Sequence, residues 1–212
     1  MTRLLLLGAT GVVGREALRL ALGDARVSQV TAPTRRALAT VHPKLESPVV
    51  DFDALPADAA WWGCDGAICA LGTTMKKAGS REAFRRVDFD AVLESAHALR
   101  RHGAQSFALV TAAGSKARSP VFYARVKGEI EQAVRDLGFA SLTIARPSFI
   151  GGEREERRPA ERAFLAVLRT LDPLLPRSMK MNPAPVIAAA LLEAVLAAKP
   201  GVRVIRSAAL AG

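Results

Sequence analysis

The stretch Leu4-Leu5-Leu6-Leu7-Gly8-Ala9-Thr10-Gly11-Val12-Val13-Gly14 decides how this chain folds. Leu4 to Leu7 is apolar without alternation, which reads as a parallel strand buried on both faces. Val12 to Leu22 is amphipathic with a helical period, and Gly23 stands where such a helix would close. Strand, glycine turn, helix is the order that a dinucleotide site requires. Gly8 allows the tight turn, Gly11 leaves room for a pyrophosphate against the backbone, and Gly14 lets the helix pack close to the strand. The free N–H groups of the helix start, with its dipole, then hold the phosphates. Gly8, Ala9, Thr10, Gly11, Val12, Val13 and Gly14 are therefore the first candidate cofactor contacts.

Working outward, Val27 to Ala32 reads as a second strand, ending at Pro33-Thr34-Arg35-Arg36. A carboxylate at this point would bind the ribose hydroxyls of NAD, whereas arginines suit the extra phosphate of NADP. Arg35 and Arg36 stand here without a carboxylate, so NADP(H) is expected ahead of NAD(H); two solvated surface arginines are the plainer alternative. Val49-Val50 reads as a short third strand entering Asp51-Phe52-Asp53. Asp51 either accepts from an adenine amine or caps the next turn, and Phe52 lies beside it.

Ala67 to Leu71 is a fourth strand broken by Gly72, with Thr73 and Thr74 at its carboxyl end, where ligands sit in open α/β sheets. Ser80 to His102 holds one long amphipathic helix or two, stopped by Gly103. Phe107 to Thr111 is a fifth strand, Val121 to Leu137 a helix stopped by Gly138, and Leu142 to Ala145 a sixth strand ended by Arg146-Pro147. This alternation is the signature of an α/β, Rossmann-like, doubly wound parallel sheet with helices on both faces. Beyond it, Gly151 to Pro159 reads as a polar loop, Ala160 to Leu171 and Val186 to Ala198 as helices, and Val202 to Ile205 as a last short strand. Residues 1–212 read as one domain, with 147–212 as its substrate-side part, a small C-terminal cap.

Composition narrows the function. A chain of 212 residues that is 50% apolar buries a core without staples. Its two cysteines, Cys64 and Cys69, are too few for a disulfide framework and lack metal-site spacing, so a reducing cytosol fits and no metal is expected. With no leader ahead of the first strand and no run of membrane-span length, a cytoplasmic protein without a membrane partner is expected. The formal charge of +10 comes from scattered arginines, and the single tyrosine leaves no aromatic-basic array for stacking bases. No nucleic-acid partner is expected, although anionic ligands are favoured by this field. A monomer and a homodimer fit the sequence equally.

Tyr123 and Lys127 are four residues apart, on one face of a helix. A phenol releases its proton only near pH ~10, and a neighbouring ammonium favours the phenolate. The pair therefore suits a proton handed to a carbonyl oxygen while hydride arrives from a cofactor. Lys127 can also bond the nicotinamide ribose; the plainer alternative is an ion pair with Glu131 one turn on. Thr111, at the carboxyl end of the fifth strand, offers a hydroxyl that can polarise the same carbonyl. Thr111, Tyr123 and Lys127 are the catalytic candidates, and a small carbonyl compound is the substrate class.

Further segments carry a resemblance: Cys69-Ala70-Leu71-Gly72-Thr73-Thr74, Ala78-Gly79-Ser80, Phe84-Arg85-Arg86-Val87-Asp88, Phe122-Tyr123-Ala124-Arg125-Val126-Lys127-Gly128-Glu129, and Arg146-Pro147 with Gly152-Glu153-Arg154. With the glycine turn, they make the chain resemble an atypical short-chain dehydrogenase/reductase. It is similar to the branch of Tat-interacting oxidoreductase-like proteins and their bacterial relatives. The resemblance implies an NADP(H)-binding Rossmann fold and Tyr123 and Lys127 as an acid/base pair. It also implies that Ala70, Leu71, Gly72, Arg146 and Pro147 touch the nicotinamide half. Two departures stand out. The family usually has a serine pair where Thr111-Ala112 stands, with Ser115 nearby, and Asp88 takes a place often held by asparagine, whose amide donates as an ionised carboxylate does not. These departures leave room for a second function, an NADPH-binding regulatory or sensor protein acting through partners.

Overall fold

A computed structural model describes residues 1–151 and 180–211. Seven parallel strands form one sheet in the order β3-β2-β1-β4-β5-β6-β9. The strands are β1 (Thr2–Leu7), β2 (Val27–Thr31), β3 (Leu45–Glu46), β4 (Gly66–Cys69), β5 (Ser106–Val110), β6 (Ser141–Arg146) and β9 (Gly201–Arg206); β7 (Ile150–Gly151) and β8 (Asn182–Pro183) make a separate two-stranded pair. The order reverses between β1 and β4, which opens a crevice at their carboxyl ends.

β1 shows why the leucine run folds as it does. Leu4 and Leu6 enter a core with α1 (Val12–Gly23) and a helix at Ala184–Ala197, while Leu5 and Leu7 enter a second core on the opposite face. All four are at most 1% exposed. Burial of this kind contributes about 2 kcal/mol per leucine, and it requires a strand covered on both sides. The second core is closed by α4 (Ala91–Arg101), α5 (Phe122–Asp136) and Trp62. Between them lie α2 (Met75–Ala78) and α3 (Arg81–Arg85); a π-helical turn over Arg86–Asp90 joins α3 to α4. The helix at Ala184–Ala197 is α6.

Several boundaries differ from expectation. The third strand is Leu45–Glu46, paired with Val30 and Thr31, and not Val49-Val50. Pro48 lacks an N–H and ends the ladder, leaving Val49 a single bridge to Thr34. Gly23 is the last residue of α1, not a left-handed stop; extended Asp24 ends the helix and takes Arg26 in a 2.8 Å ion pair. Gly103 and Gly138 do adopt positive φ, at 88° and 67°. Helix and strand of the tail are not a cap: β9 is hydrogen-bonded to β6 along its length, and α6 packs on α1 and the sheet. The rest of the expected cap, including the loop to Pro159 and the helix from Ala160, lies outside the described residues.

Cys64 and Cys69 are free and buried, and burial pushes both thiols up to about 12, as structural cysteines. Among the described residues there is no His/Cys/Asp/Glu group fit to hold a metal ion, and no helix is long and apolar enough to cross a membrane.

Candidate active site

The glycine turn is built as a cradle. Gly8 has φ 84°, and a Cβ there would stand 2.6 Å from the backbone of Ala70. At Gly14 a Cβ would stand 1.9 Å from the carbonyl oxygen of Gly8. The first helix therefore lies directly on the turn, and the loop after β4 runs along it. Gly11 closes the turn, its N–H donating to the Gly8 carbonyl at 2.9 Å. Extended Gly11 is the N-cap of α1, with no side-chain cap and no acidic residue in the first turn. The first helical bond is Arg15 N–H to Gly11 O, at 2.9 Å, so the N–H groups of Val12, Val13 and Gly14 precede the ladder and face out of it. An uncapped helix start beside a turn with no Cβ fits a diphosphate.

Around this turn the other predicted contacts fall into place unevenly. Ala70 and Leu71 lie against Gly8 at the end of β4, and Gly72 lies beside Asp88 and Lys127. Arg35 and Arg36 follow β2, exposed and without an ion-pair partner among the described residues. Asp51 is exposed, and its carboxylate accepts from the Asp53 N–H at 2.9 Å. This bond is the turn cap that the sequence offers for Asp51. Phe52 packs partly buried against the second core.

Tyr123 and Lys127 share one face of α5, as expected. The Tyr123 ring is half-buried against Phe84, with centroids 5.5 Å apart, and its hydroxyl makes no hydrogen bond among the described residues. Lys127 is buried and pairs not with Glu131 but with Asp88, Nζ to Oδ1 at 2.7 Å. Asp88 Oδ2 accepts from the Thr73 N–H at 2.8 Å. The π turn over Arg86–Asp90 carries Asp88 to this position, completely buried against α5; such wide turns recur where a helix must present a side chain at a site. One carboxylate thus joins the loop after β4 to the lysine of α5.

Thr111 is not free to act on a substrate as expected. Its hydroxyl is buried and donates to Glu131 Oε1 at 2.7 Å. Glu131, 3% exposed, also takes Arg146 in a two-pronged ion pair, with Nε at 2.9 Å from Oε1. That hydrogen-bonded carboxylate raises the Arg146 pKa above its ordinary value. Pro147 is buried, and its carbonyl accepts from the Ala113 N–H at 2.7 Å, so the loops after β5 and β6 are fastened together. Ser115 is likewise engaged, donating to the Ala112 carbonyl at 2.7 Å.

Sequence reasoning missed two buried networks. One is Glu131 with Thr111 and Arg146; the i+4 spacing from Lys127 marked Glu131 as a charge on the same helix but suggested the wrong partner. The other joins Ser148, Asn182 and Ser207. Asn182 is completely buried, accepts from the Ser148 N–H at 2.7 Å and donates to the Ser207 carbonyl at 2.9 Å. Nothing in the spacing of those three residues announces their contact.

A glycine-cradled helix start at the switch point of a parallel sheet, with a Tyr-x-x-x-Lys helix on its far half, defines a nicotinamide-nucleotide protein of the atypical short-chain dehydrogenase/reductase type. The chain belongs to the NAD(P)H-binding family, whose model matches residues 8–161. It is similar to the rat protein HTATIP2, 39% identical over 160 residues, which are 74% of this chain and 66% of that protein. The chain thus spans just under two thirds of that relative's length. It is also similar to the Emericella nidulans protein fmp52, 34% identical over 171 residues, covering 76% of this chain and 72% of that one. Among solved structures, WbmH of Bordetella bronchiseptica in complex with NAD+ has the same fold, with a TM-score of 0.70 at 16% identity over 98% of this chain and 76% of that chain.

These relatives correct one expectation. The fmp52 proteins of Emericella nidulans, Lodderomyces elongisporus, Aspergillus niger and Candida albicans are named as mitochondrial, which points away from a plain cytoplasmic location. Two buried free thiols report the lack of a disulfide framework and carry no address.

Proposed function

We propose that this protein is an NADP(H)-dependent oxidoreductase that moves hydride between the nicotinamide and a small carbonyl substrate, with Tyr123 as the proton donor. The observation that carries the reading is the placement of Tyr123. Its hydroxyl is unengaged among the described residues and stands one turn from Lys127, which Asp88 ties to the loop beside the glycine turn. When bound, the reduced nucleotide supplies the hydride. Tyr123 gives its hydroxyl proton to the substrate oxygen as the carbon accepts that hydride, and the phenolate left behind is stabilised by the Lys127 ammonium. Val12, Val13 and Gly14 offer backbone N–H groups to the diphosphate. Arg35 and Arg36, exposed and without acid partners among the described residues, suit a phosphate dianion and support NADP(H) over NAD(H).

A second reading is favoured by one observation. Ala112 has no hydroxyl, and that of Thr111 is held by Glu131. The site then lacks a free strand-five hydroxyl to polarise a carbonyl, which suits a protein that binds NADPH and signals its presence through partners.

Both are tested by following NADPH oxidation by the purified protein against a panel of aldehydes and ketones. In Tyr123→Phe, turnover is expected to fall by about 10²–10⁴-fold while NADPH affinity stays within about twofold. An unchanged oxidation rate would leave the binding-protein reading standing alone. Replacing Arg35 and Arg36 together by alanine is expected to weaken NADPH by about tenfold or more and leave NADH unaffected, measured by the fluorescence of the bound reduced ring. Equal losses for the two nucleotides would remove the arginines from the phosphate site.

A further inference from the structure

Asp88 and Lys127 form a buried pair of opposite charges at the carboxyl end of β4, their side chains 0% and 8% exposed and their charged atoms 2.7 Å apart. Asp88 Oδ2 is satisfied by the Thr73 N–H. Among the described residues Oδ1 accepts no hydrogen bond, and the ammonium is its one compensation. This oxygen is buried directly beneath exposed Gly72: a methyl added there would stand 3.3 Å from Asp88 Oδ1 and 3.6 Å from Lys127 Nζ. A ligand lying over Gly72 therefore feels the field of carboxylate and ammonium together without touching the carboxylate. The other charges nearby on α5 are already committed, Glu131 to Arg146 and Glu129 to Arg85.

The oxidised nicotinamide ring carries a positive charge and the reduced ring carries none; the rest of the nucleotide is the same. A lysine alone would repel the oxidised ring. We propose that Asp88 cancels this repulsion and so sets the relative affinity of the site for NADP+ and NADPH, in favour of the oxidised form. The inference rests on the reading above, together with the expectation that the loop of Ala70, Leu71 and Gly72 touches the nicotinamide half. As a reductase, the protein would draw its bound equilibrium towards hydride donation. As a sensor, it would respond to the ratio of the two nucleotides rather than to their sum.

The test is calorimetric titration of the full chain with NADP+ and with NADPH, separately, in the wild type, Asp88→Asn and Asp88→Glu. Wild type is expected to bind NADP+ at least as tightly as NADPH. One unit charge removed beside a charged ligand in a screened, open crevice shifts its affinity by about tenfold. Asp88→Asn keeps an oxygen for the Thr73 N–H, removes the charge and turns its amide N–H2 towards Lys127 where Oδ1 stood, so NADP+ should weaken by about tenfold more than NADPH does. Asp88→Glu keeps the charge and should keep the ratio even if both affinities fall. A purely structural role predicts parallel losses for both nucleotides, and such a result overturns the proposal. So does a wild type that prefers NADPH tenfold, a measurement that needs no variant to fold. If the wild type binds neither nucleotide, the functional reading beneath it fails too; if it binds both and the ratio ignores Asp88, only this inference fails.

Discussion

Gly14→Ala will lose nucleotide binding and a large share of the folding free energy together. The added Cβ would lie 1.9 Å from the Gly8 carbonyl oxygen and 2.7 Å from its carbon. Both are backbone atoms, so no side chain can swing aside; α1 must lift off β1. That helix packs Val13, Ala17, Leu18 and Ala21 into the first core with Leu4 and Leu6, and a forced shift of this kind costs about 3 kcal/mol or more. Urea denaturation should show the midpoint falling accordingly. Gly11→Ala is the informative contrast. Its backbone angles are those of an ordinary extended residue, and its Cβ would stand 3.3 Å from Gly8 O. The variant should fold within about 1 kcal/mol of wild type, yet its methyl occupies the space a diphosphate needs, so NADPH affinity should collapse. A Gly11→Ala protein that binds NADPH normally would show that phosphates sit elsewhere, and a Gly14→Ala protein of normal stability would show that helix and turn are not in contact.

These two glycines also mark how far the sequence could be read. The leucine run, the turn and the amphipathic helix agree at every level, since strand burial, turn conformation and helix period are all local properties. That agreement made the sheet, its alternation with helices and the cradle legible before any coordinates. Tyr123 and Lys127 were legible for the same reason, because i,i+4 spacing is decided within one helix. What escaped was decided between elements. Asp88 faces Lys127 only because a π turn shifts the helix register, and no residue pattern announces that turn. The third strand lies at Leu45–Glu46 because Pro48 ends its ladder, a choice made against β2 rather than within the strand. The strand and helix of the tail join the main sheet and its core, since β6 offers an edge that a stretch judged by itself does not reveal. Thr111 kept its place at the end of β5 but gave its hydroxyl to a carboxylate twenty residues on.

That carboxylate is where the second large effect is expected. Glu131→Ala removes the group that Thr111 and Arg146 both donate to, and leaves a guanidinium whose side chain is only 28% exposed without its counter-charge. Removing one partner of a buried pair costs about 3–5 kcal/mol; because Arg146 can reach water in part, about 3 kcal/mol is the expected loss. Glu131→Gln should lose less, as its amide oxygen still accepts from either donor. The two effects must also be coupled. Once Glu131 is alanine, changing Arg146 to methionine removes a stranded charge, so the double variant should recover about 1–3 kcal/mol relative to the sum of the singles. Urea unfolding of the four proteins measures this directly, and strict additivity would mean that the pair contributes nothing specific. The loss should reach the site as well. Arg146 ends β6, Thr111 follows β5, and the Ala113 N–H to Pro147 bond fastens the two loops at the carboxyl end of the sheet. In Glu131→Ala those loops lose their side-chain tie and keep the backbone bonds Thr111 N–H to Ala145 O and Ala113 N–H to Pro147 O, so NADPH affinity should fall along with stability, whereas a surface pair of equal charge would move neither.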